Sequence, residues 1–247
     1  MKNDFVFILF LFMALPFFYT DQIKPGTQES VLNEETSRHV VQVLRMTTGE
    51  PINLTDGKGN LYTTQIIEAH KRKTTVKILS DIQQPVGEKK ICIGISLVKN
   101  ASRFEWFLEK ATEIGVNGIY PILCERTEKQ NFRLDRMKSI LISAMLQSQQ
   151  TWLPVLHEPV KLVKMLRMEF EGQKFIAHCE DGNEKQDLST NVRSALSKLV
   201  LIGPEGDFTK AEITEALVNN YTPVTLGQTR LRTETAGLVA ITLMSAF

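Results

Sequence analysis

A chain of 247 residues with 43% hydrophobic and 23% charged side chains has material for one large globular domain or two small ones, which excludes a disordered polypeptide. With 29 basic residues against 28 acidic ones the formal net charge is +1, so the bulk electrostatic signature of a nucleic-acid binder is missing and any such contact must come from local patches. The three cysteines, Cys92, Cys124 and Cys179, are odd in number, far apart and set in apolar runs, which reads as reduced, buried thiols of a cytosolic protein and excludes a disulfide framework.

In chain order, the run 5–18 is almost wholly apolar. It spans about 14 residues against the roughly 20 that cross a bilayer. Pro16 interrupts it and no small-x-small cleavage site follows, which argues against a membrane span or a secretion signal. Met13 opens MALPFFYTDQI, which leads into a strand pattern, so residues 1–12 read as an upstream extension; a genuine apolar tail is the alternative. From there to residue 86, short β-type segments alternate with turn residues: VVQVLRM, then PINLTDGKGN with its Asp56-Gly57 and Gly59-Asn60 turns, then LYTTQIIEA and TTVKILS. The pattern predicts a small all-β barrel or sandwich over 13–86, ended by the linker-like QQPVGEKK.

From residue 89 onward strands alternate with helical patterns, the signature of a mainly parallel α/β sheet. The expected strands are ICIGISLV, GIYPILC, KFIAHC, LVLIG and PVTLG. Between the first two, Phe104, Phe107, Leu108, Ala111 and Ile114 form one helical stripe with Gly115 as its stop. Further helices are expected over about 133–149, 209–219 and 234–247, the second opened by a Thr209/Glu212 capping box.

Ligands of such sheets bind beyond the carboxyl ends of the strands. Two loops stand out there: Gly203-Pro204-Glu205-Gly206, and the stretch from Gly227 through Arg230, Leu231, Arg232 and Thr233 to Glu234. Taken singly each is equally well a tight connection; together they suggest a ligand site with outward-pointing amides. Dinucleotide and triphosphate loops, a G-x-S-x-G elbow and metal-ligand spacing among His39, His70, His157 and His178 are all missing.

LIGPEGDF followed by LGQTRLRTETA resembles the signature of the 16S rRNA (uracil-N3)-methyltransferases, a branch of the SPOUT superfamily. Lys99, Arg103, Glu105, Lys110, Glu113 and Gly115 resemble that family's first-helix motif, Glu125-Arg126 its post-strand pair, and SRHVVQVLRMTTGEPINLTD its N-terminal domain. The resemblance covers nearly everything after Met13. It implies a knotted, trefoil α/β domain over 89–247 behind a PUA-like β-barrel over 13–86, a cytoplasmic homodimer without a membrane, S-adenosylmethionine (SAM) as cofactor, and a uridine of 16S rRNA in the small ribosomal subunit as substrate. Leu201, Gly203, Glu205, Gly206, Leu226, Gly227, Leu231, Arg232 and Glu234 would then surround the cofactor. Two departures stand out. Gln150 occupies the place of an arginine that often follows Glu-Gln-Ser, and Asp207 replaces a third glycine, which suggests that no positive φ is needed there.

Methylating a uracil imide requires removal of a proton and stabilisation of the resulting anion. The candidates for charge neutralisation are Arg103 and Arg126, with Arg232 beside them; those for the proton are Glu125, Glu205 and Glu234. For each arginine an ion pair is the plain alternative, and for Glu234 a favourable charge at a helix start. Lys71, Arg72 and Lys73, with Lys99 and Arg133, are the candidate RNA contacts, or simply solvated faces. A non-catalytic rRNA-binding or assembly factor, and a phosphate-ligand enzyme using GPEG as an anion nest, are the competing classes.

Overall fold

The computed structural model describes residues 15–24, 26–128, 131–180, 185–193 and 196–246; the expected extension over 1–12 lies outside the described residues. The chain divides into two compact units, Met1–Val86 with Leu146–Trp152, and Gly87–Met145 with Leu153–Phe247. The stretch Leu146–Trp152, which the sequence pattern ran on within the second domain, thus groups with the first unit.

The first unit contains β1 (Phe17–Tyr19), β2 (Glu29–Val31), α1 (Glu34–Arg38), β3 (Pro51–Thr55), β4 (Asn60–Glu68) and β5 (Thr75–Gln83). Its strands form one sheet in the order β1-β3-β4-β5-β2, antiparallel except where β1 runs parallel to β3. Phe18, Ile52, Leu54, Ile66 and Val76 make its core. The expected strand VVQVLRM is instead helical: His39–Val43 continues α1 as a π-helical turn. Asn33 caps α1 by accepting from Thr36 N at 2.8 Å, and of the following apolar residues Val40 is buried while Val43 and Leu44 face solvent. Val41 and Met46 pack partly against the same core, so the run follows a helical turn rather than the alternation of a strand.

The second unit contains β6 (Ile91–Ser96), α2 (Ala101–Ile114), β7 (Gly118–Leu123), α3 (Leu134–Gln147), β8 (Val155–Leu156), β9 (Val160–Lys161), α4 (Leu162–Leu166), β10 (Gln173–Ala177), β11 (Gln186–Asp187), α5 (Leu188–Asn191), β12 (Lys198–Ile202), α6 (Lys210–Val218), β13 (Thr222–Thr225) and α7 (Thr233–Ser245). Strand order is β11-β13-β10-β12-β6-β7-β8, with β9 also on β7, and every pairing among the described residues is parallel. All of β12 is buried because both faces are covered. Leu199 and Leu201 join Met165, Phe208 and Ile213 on one side, while Val200 and Ile202 join Phe107, Leu108 and Ile241 on the other. The expected helix caps are present: Gly115 ends α2 at φ 94, and Thr209 with Glu212 forms the capping box of α6.

α7 lies so close to the sheet that Gly237 has no room for a side chain: a Cβ there would sit 2.7 Å from Phe107 Cε2 and 2.9 Å from Ile95 Cδ1. Overpacking of about 1–3 kcal/mol should outweigh the ~1 kcal/mol that alanine gains over glycine in a helix. Gly237→Ala is therefore expected to lower the urea midpoint at unchanged slope, and Gly237→Val to lower it further.

Candidate functional site at the carboxyl edge of the parallel sheet

Parallel pairing sends the loop after every strand to the same edge. Ala177, Ile202, Ile95 and Pro121 are successive cross-strand partners, and Val224 pairs with Ala177 on the other side. The chain just beyond these residues carries His178, Gly203, Lys99, Glu125 and Leu226. Residues far apart in sequence therefore meet along one rim.

The loops are tied to one another. Glu212 accepts from Thr209 N at 2.8 Å to cap α6 and, with its other oxygen, from Glu125 N at 2.8 Å. Arg126 donates to Gly206 O at 2.7 Å, and its stem packs so closely that a Cβ on Gly206 would meet Arg126 Cδ at 3.3 Å. Glu205 accepts from Lys99 N at 3.0 Å, while Lys99 Nζ pairs with Glu128 at 3.0 Å. The turn carrying Glu125 and Arg126 is held by Thr127, whose hydroxyl accepts from Cys124 N and bonds Ser96 Oγ, both at 2.9 Å.

Three hollows follow one another along the rim. One of about 320 Å³ is lined by Gly203, Pro204, Glu205, Asp207, Leu231 and Arg232. A second of about 270 Å³ is lined by His178, Leu226, Gly227 and Arg230, and shares Ala177, Cys179, Arg230, Leu231 and Ala236 with the first. The third, about 340 Å³, is lined by Ser102, Arg103, Trp106, Arg232, Glu234 and Thr235 and shares Arg232 with the first. Thr233 donates to Gly203 O at 3.0 Å, fastening the start of α7 to the β12 loop. Arg103 and Glu234 approach to 3.7 Å, the carboxylate side chain only 8% exposed and the guanidinium 42% exposed. Glu234 thus does more than complement a helix start.

Of the expected site residues, Arg103, Arg232 and Glu234 line one hollow, while Gly203, Glu205, Leu226, Gly227 and Leu231 line the two-lobed cleft. Leu201 does not line it: it is fully buried in the core beneath β12. Gly206 is engaged through Arg126. Glu125 contributes a bound backbone N–H and an exposed side chain. Lys71, Arg72 and Lys73 are exposed on the first unit, and Arg133 is exposed just before α3; Arg72 lies 3.9 Å from Glu34.

Two expectations need correction. Asp207 does adopt a positive φ, 63°. Aspartate tolerates it because its short carboxylate bonds nearby amides: Asp207 accepts from Phe208 N at 2.8 Å and from Cys179 N at 2.7 Å. Cys179 is exposed rather than buried, lying just past the end of β10. Burial pushes the other two thiols up, Cys92 to about 11 and Cys124 to about 12, which leaves both as inert core groups.

His178 is the residue that sequence reasoning missed. It is 6% exposed, it lines the cleft, and neither ring nitrogen has a hydrogen-bond partner among the described residues. A lone histidine after a strand has no pattern to betray it.

Replacing Asp207 separates its two duties. Asp207→Asn keeps the tolerated φ but only one acceptor oxygen and should lose one of the two amide bonds, Asp207→Gly should lose both, and Asp207→Ala should fall furthest, by about 1–3 kcal/mol, in thermal unfolding. Burial also holds His178 below the ordinary 6.5, aided by the Lys185 ammonium, and burial does the same to His157, stacked 4.0 Å from the Tyr120 ring. Above 6.5 both are neutral folded or unfolded. As pH falls below it the unfolded chain protonates first, so stability should decline until the folded pKa is passed, by at most about 1.4 kcal/mol per pH unit per histidine. His178→Gln should remove its share, measured as unfolding free energy from pH 7 to 5; no change in slope would contradict the assignment.

The chain matches the model of the RNA methyltransferase domain over residues 86–245 and that of the RNA methyltransferase PUA domain over 32–79. It is 26% identical to the ribosomal RNA small subunit methyltransferase E of Buchnera aphidicola, covering 93% of this chain and 92% of that one. It is 25% identical to the protein of the same name in Bacillus subtilis, with 91% and 92% covered. Among solved structures, a probable rRNA-methyltransferase from Porphyromonas gingivalis superposes with a TM-score of 0.88 at 33% identity, covering 94% and 99% of the two chains. The Neisseria gonorrhoeae ribosomal RNA small subunit methyltransferase E bound to S-adenosyl methionine gives a TM-score of 0.83 at 30% identity, with 94% and 98% covered.

Proposed function

The chain belongs to the RNA methyltransferase family, and from that premise we propose that it transfers a methyl group from SAM to N3 of a specific uridine in 16S rRNA of the small ribosomal subunit. The observation that carries this reading is the single rim on which a two-lobed cleft adjoins an arginine–carboxylate hollow through Arg232.

The residues of the cleft suit the cofactor. Leu226, Leu231 and Ala236 offer apolar surface to a purine, glycine backbones at 203 and 227 allow close approach, and Arg230 faces the same space as a partner for a carboxylate. The His178 ring lines the same lobe. When bound, SAM supplies an electrophilic methyl group on sulfonium sulfur.

The chain's own residues supply positioning and charge. Arg103 is the group we assign to the uracil anion: it lines the third hollow, half-exposed, with Glu234 holding its guanidinium. Arg126 is the weaker candidate, because its fork is occupied by Gly206 O; it acts by holding the GPEG loop. Among the carboxylates, Glu205 and Glu125 have exposed side chains, while Glu234 is buried against a cation and suited to orienting Arg103. Lys71, Arg72, Lys73, Lys99 and Arg133 are read as RNA contacts.

We also read the second unit as trefoil-knotted, supported by α7 returning to pack on β6 and fastening to the β12 loop. The first unit is read as a PUA-like barrel, supported by its sheet and the family match over 32–79. A cytoplasmic homodimer completes the reading. No described helix is long and apolar enough to cross a membrane.

The test is methyl transfer to small ribosomal subunits that lack the modification, followed by nucleoside mass spectrometry. 3-Methyluridine is the expected product, and another methylated base would overturn the N3 assignment. Arg103→Ala should lose at least about 100-fold in turnover while SAM still raises its melting temperature; normal turnover would remove Arg103 from the mechanism.

A further inference from the structure

We propose that the first unit carries a pocket of its own for an unpaired nucleobase, lined by Phe17, Asn53, Gln84, Gln149, Gln150 and Trp152. The proposal rests on RNA being the substrate. The pocket shares no residue with the rim described above.

Its volume is about 500 Å³, ample for a purine, and among the described residues no charged side chain lines it. That lining argues against phosphate, a carboxylate or a cation and favours a neutral, planar group. Two polar atoms are already in place: Asn53 Oδ1 and Trp152 Nε1 are withdrawn from solvent and have no hydrogen-bond partner among the described residues. One is an acceptor and the other a donor. Buried groups left unpaired are costly, and the edges of a base carry both donors and acceptors to offer such groups. Aromatic side chains beside such groups are how proteins hold splayed-out RNA bases.

The pocket is built rather than incidental. Gly59, at φ 90°, lies under the indole so closely that a Cβ would fall 2.3 Å from Trp152 Cζ2 and 2.5 Å from Cε2. Gly59 N donates to Thr151 O at 2.9 Å, and Lys58 bridges to Trp152 in antiparallel fashion. These contacts fix the ring plane. On the other wall, Asn53 N donates to Pro16 O at 2.8 Å, which holds the chain leading into Phe17. Gln149 adopts a positive φ of 55°, which turns the Leu146–Trp152 stretch so that Gln149, Gln150 and Trp152 all face the pocket. Gln150 is the residue that replaces the arginine expected from the family pattern. A neutral amide there, in place of a guanidinium, keeps the lining free of charge.

The test uses the full chain and a labelled single-stranded decaribonucleotide, compared with the same strand carrying abasic sites. Both strands keep their phosphates, so only base-dependent binding distinguishes them. Wild type should bind the base-bearing strand about tenfold more tightly. Asn53→Leu and Trp152→Phe should shrink that ratio towards one while leaving the abasic affinity unchanged. In a Trp106→Phe background Trp152 is the sole tryptophan, and its emission should be quenched by the base-bearing strand alone. Equal binding of the two strands by wild type, or an unchanged ratio in folded Asn53→Leu and Trp152→Phe, would overturn the pocket. The SAM-induced rise in melting temperature, measured on each protein, reports separately on the methyltransferase reading: its loss in wild type would count against that reading and leave the base-dependent ratio to judge the pocket.

Discussion

The parallel pairing of β13, β10, β12, β6 and β7 is the constraint from which the rest of the site follows. Parallel strands need crossovers, crossovers cover both faces, and covered faces demand the apolar strands that this chain supplies. The consequence for function is geometric. Loops that leave a parallel sheet do so on one side, so residues from 99 to 234 converge without any local sequence signal telling them to. A sheet with one of these strands reversed would keep much of its core and lose the site.

Convergence alone would leave five mobile loops, and cross-loop bonds are what make them a surface. Glu212 serves a helix cap and a neighbouring loop at once, so the start of α6 is coupled to the turn after β7. Arg126 restrains the GPEG backbone, and Thr233 restrains it from the other side. Arg232 lies at the junction of the two-lobed cleft and the arginine hollow, two residues before the buried Glu234 that pairs with Arg103. Preorganised charge of this kind is most effective where reorganisation on binding is small. Gly237 contributes to the same end from the core, by letting α7 approach β6 without a side chain between them.

Much of this was legible in the sequence because two-sided burial writes itself plainly. The run LVLIG reads as a covered strand, and the T-x-x-E ahead of ITEAL as a helix start. The misreadings share a physical cause: they fall where a side chain overrides a backbone rule. Asp207 reaches a glycine-like conformation because its carboxylate bonds two amides, which spacing does not reveal. The run after Arg38 looks like a strand by composition, yet it continues a capped helix, burying Val40 and packing Val41 and Met46 partly against the core. His178 and Trp152 were invisible for the opposite reason. Their interest lies in what they fail to bond, and only coordinates show that.

Charge pairing bears on how RNA is recognised. Several basic groups of the second unit are engaged: Lys99 pairs with Glu128, Arg103 with Glu234 and Arg136 with Glu105, while Arg126 donates to a carbonyl. With a net charge of +1 there is little surplus to draw a polyanion from a distance. Each phosphate neutralised contributes to both affinity and its salt dependence, but phosphate contacts carry no sequence information. Selectivity must then come from shape and from individual bases. That places a premium on rigid, partly dry pockets over basic patches, and it suits a substrate whose fold already presents the target, such as rRNA within a subunit, better than a free and flexible strand.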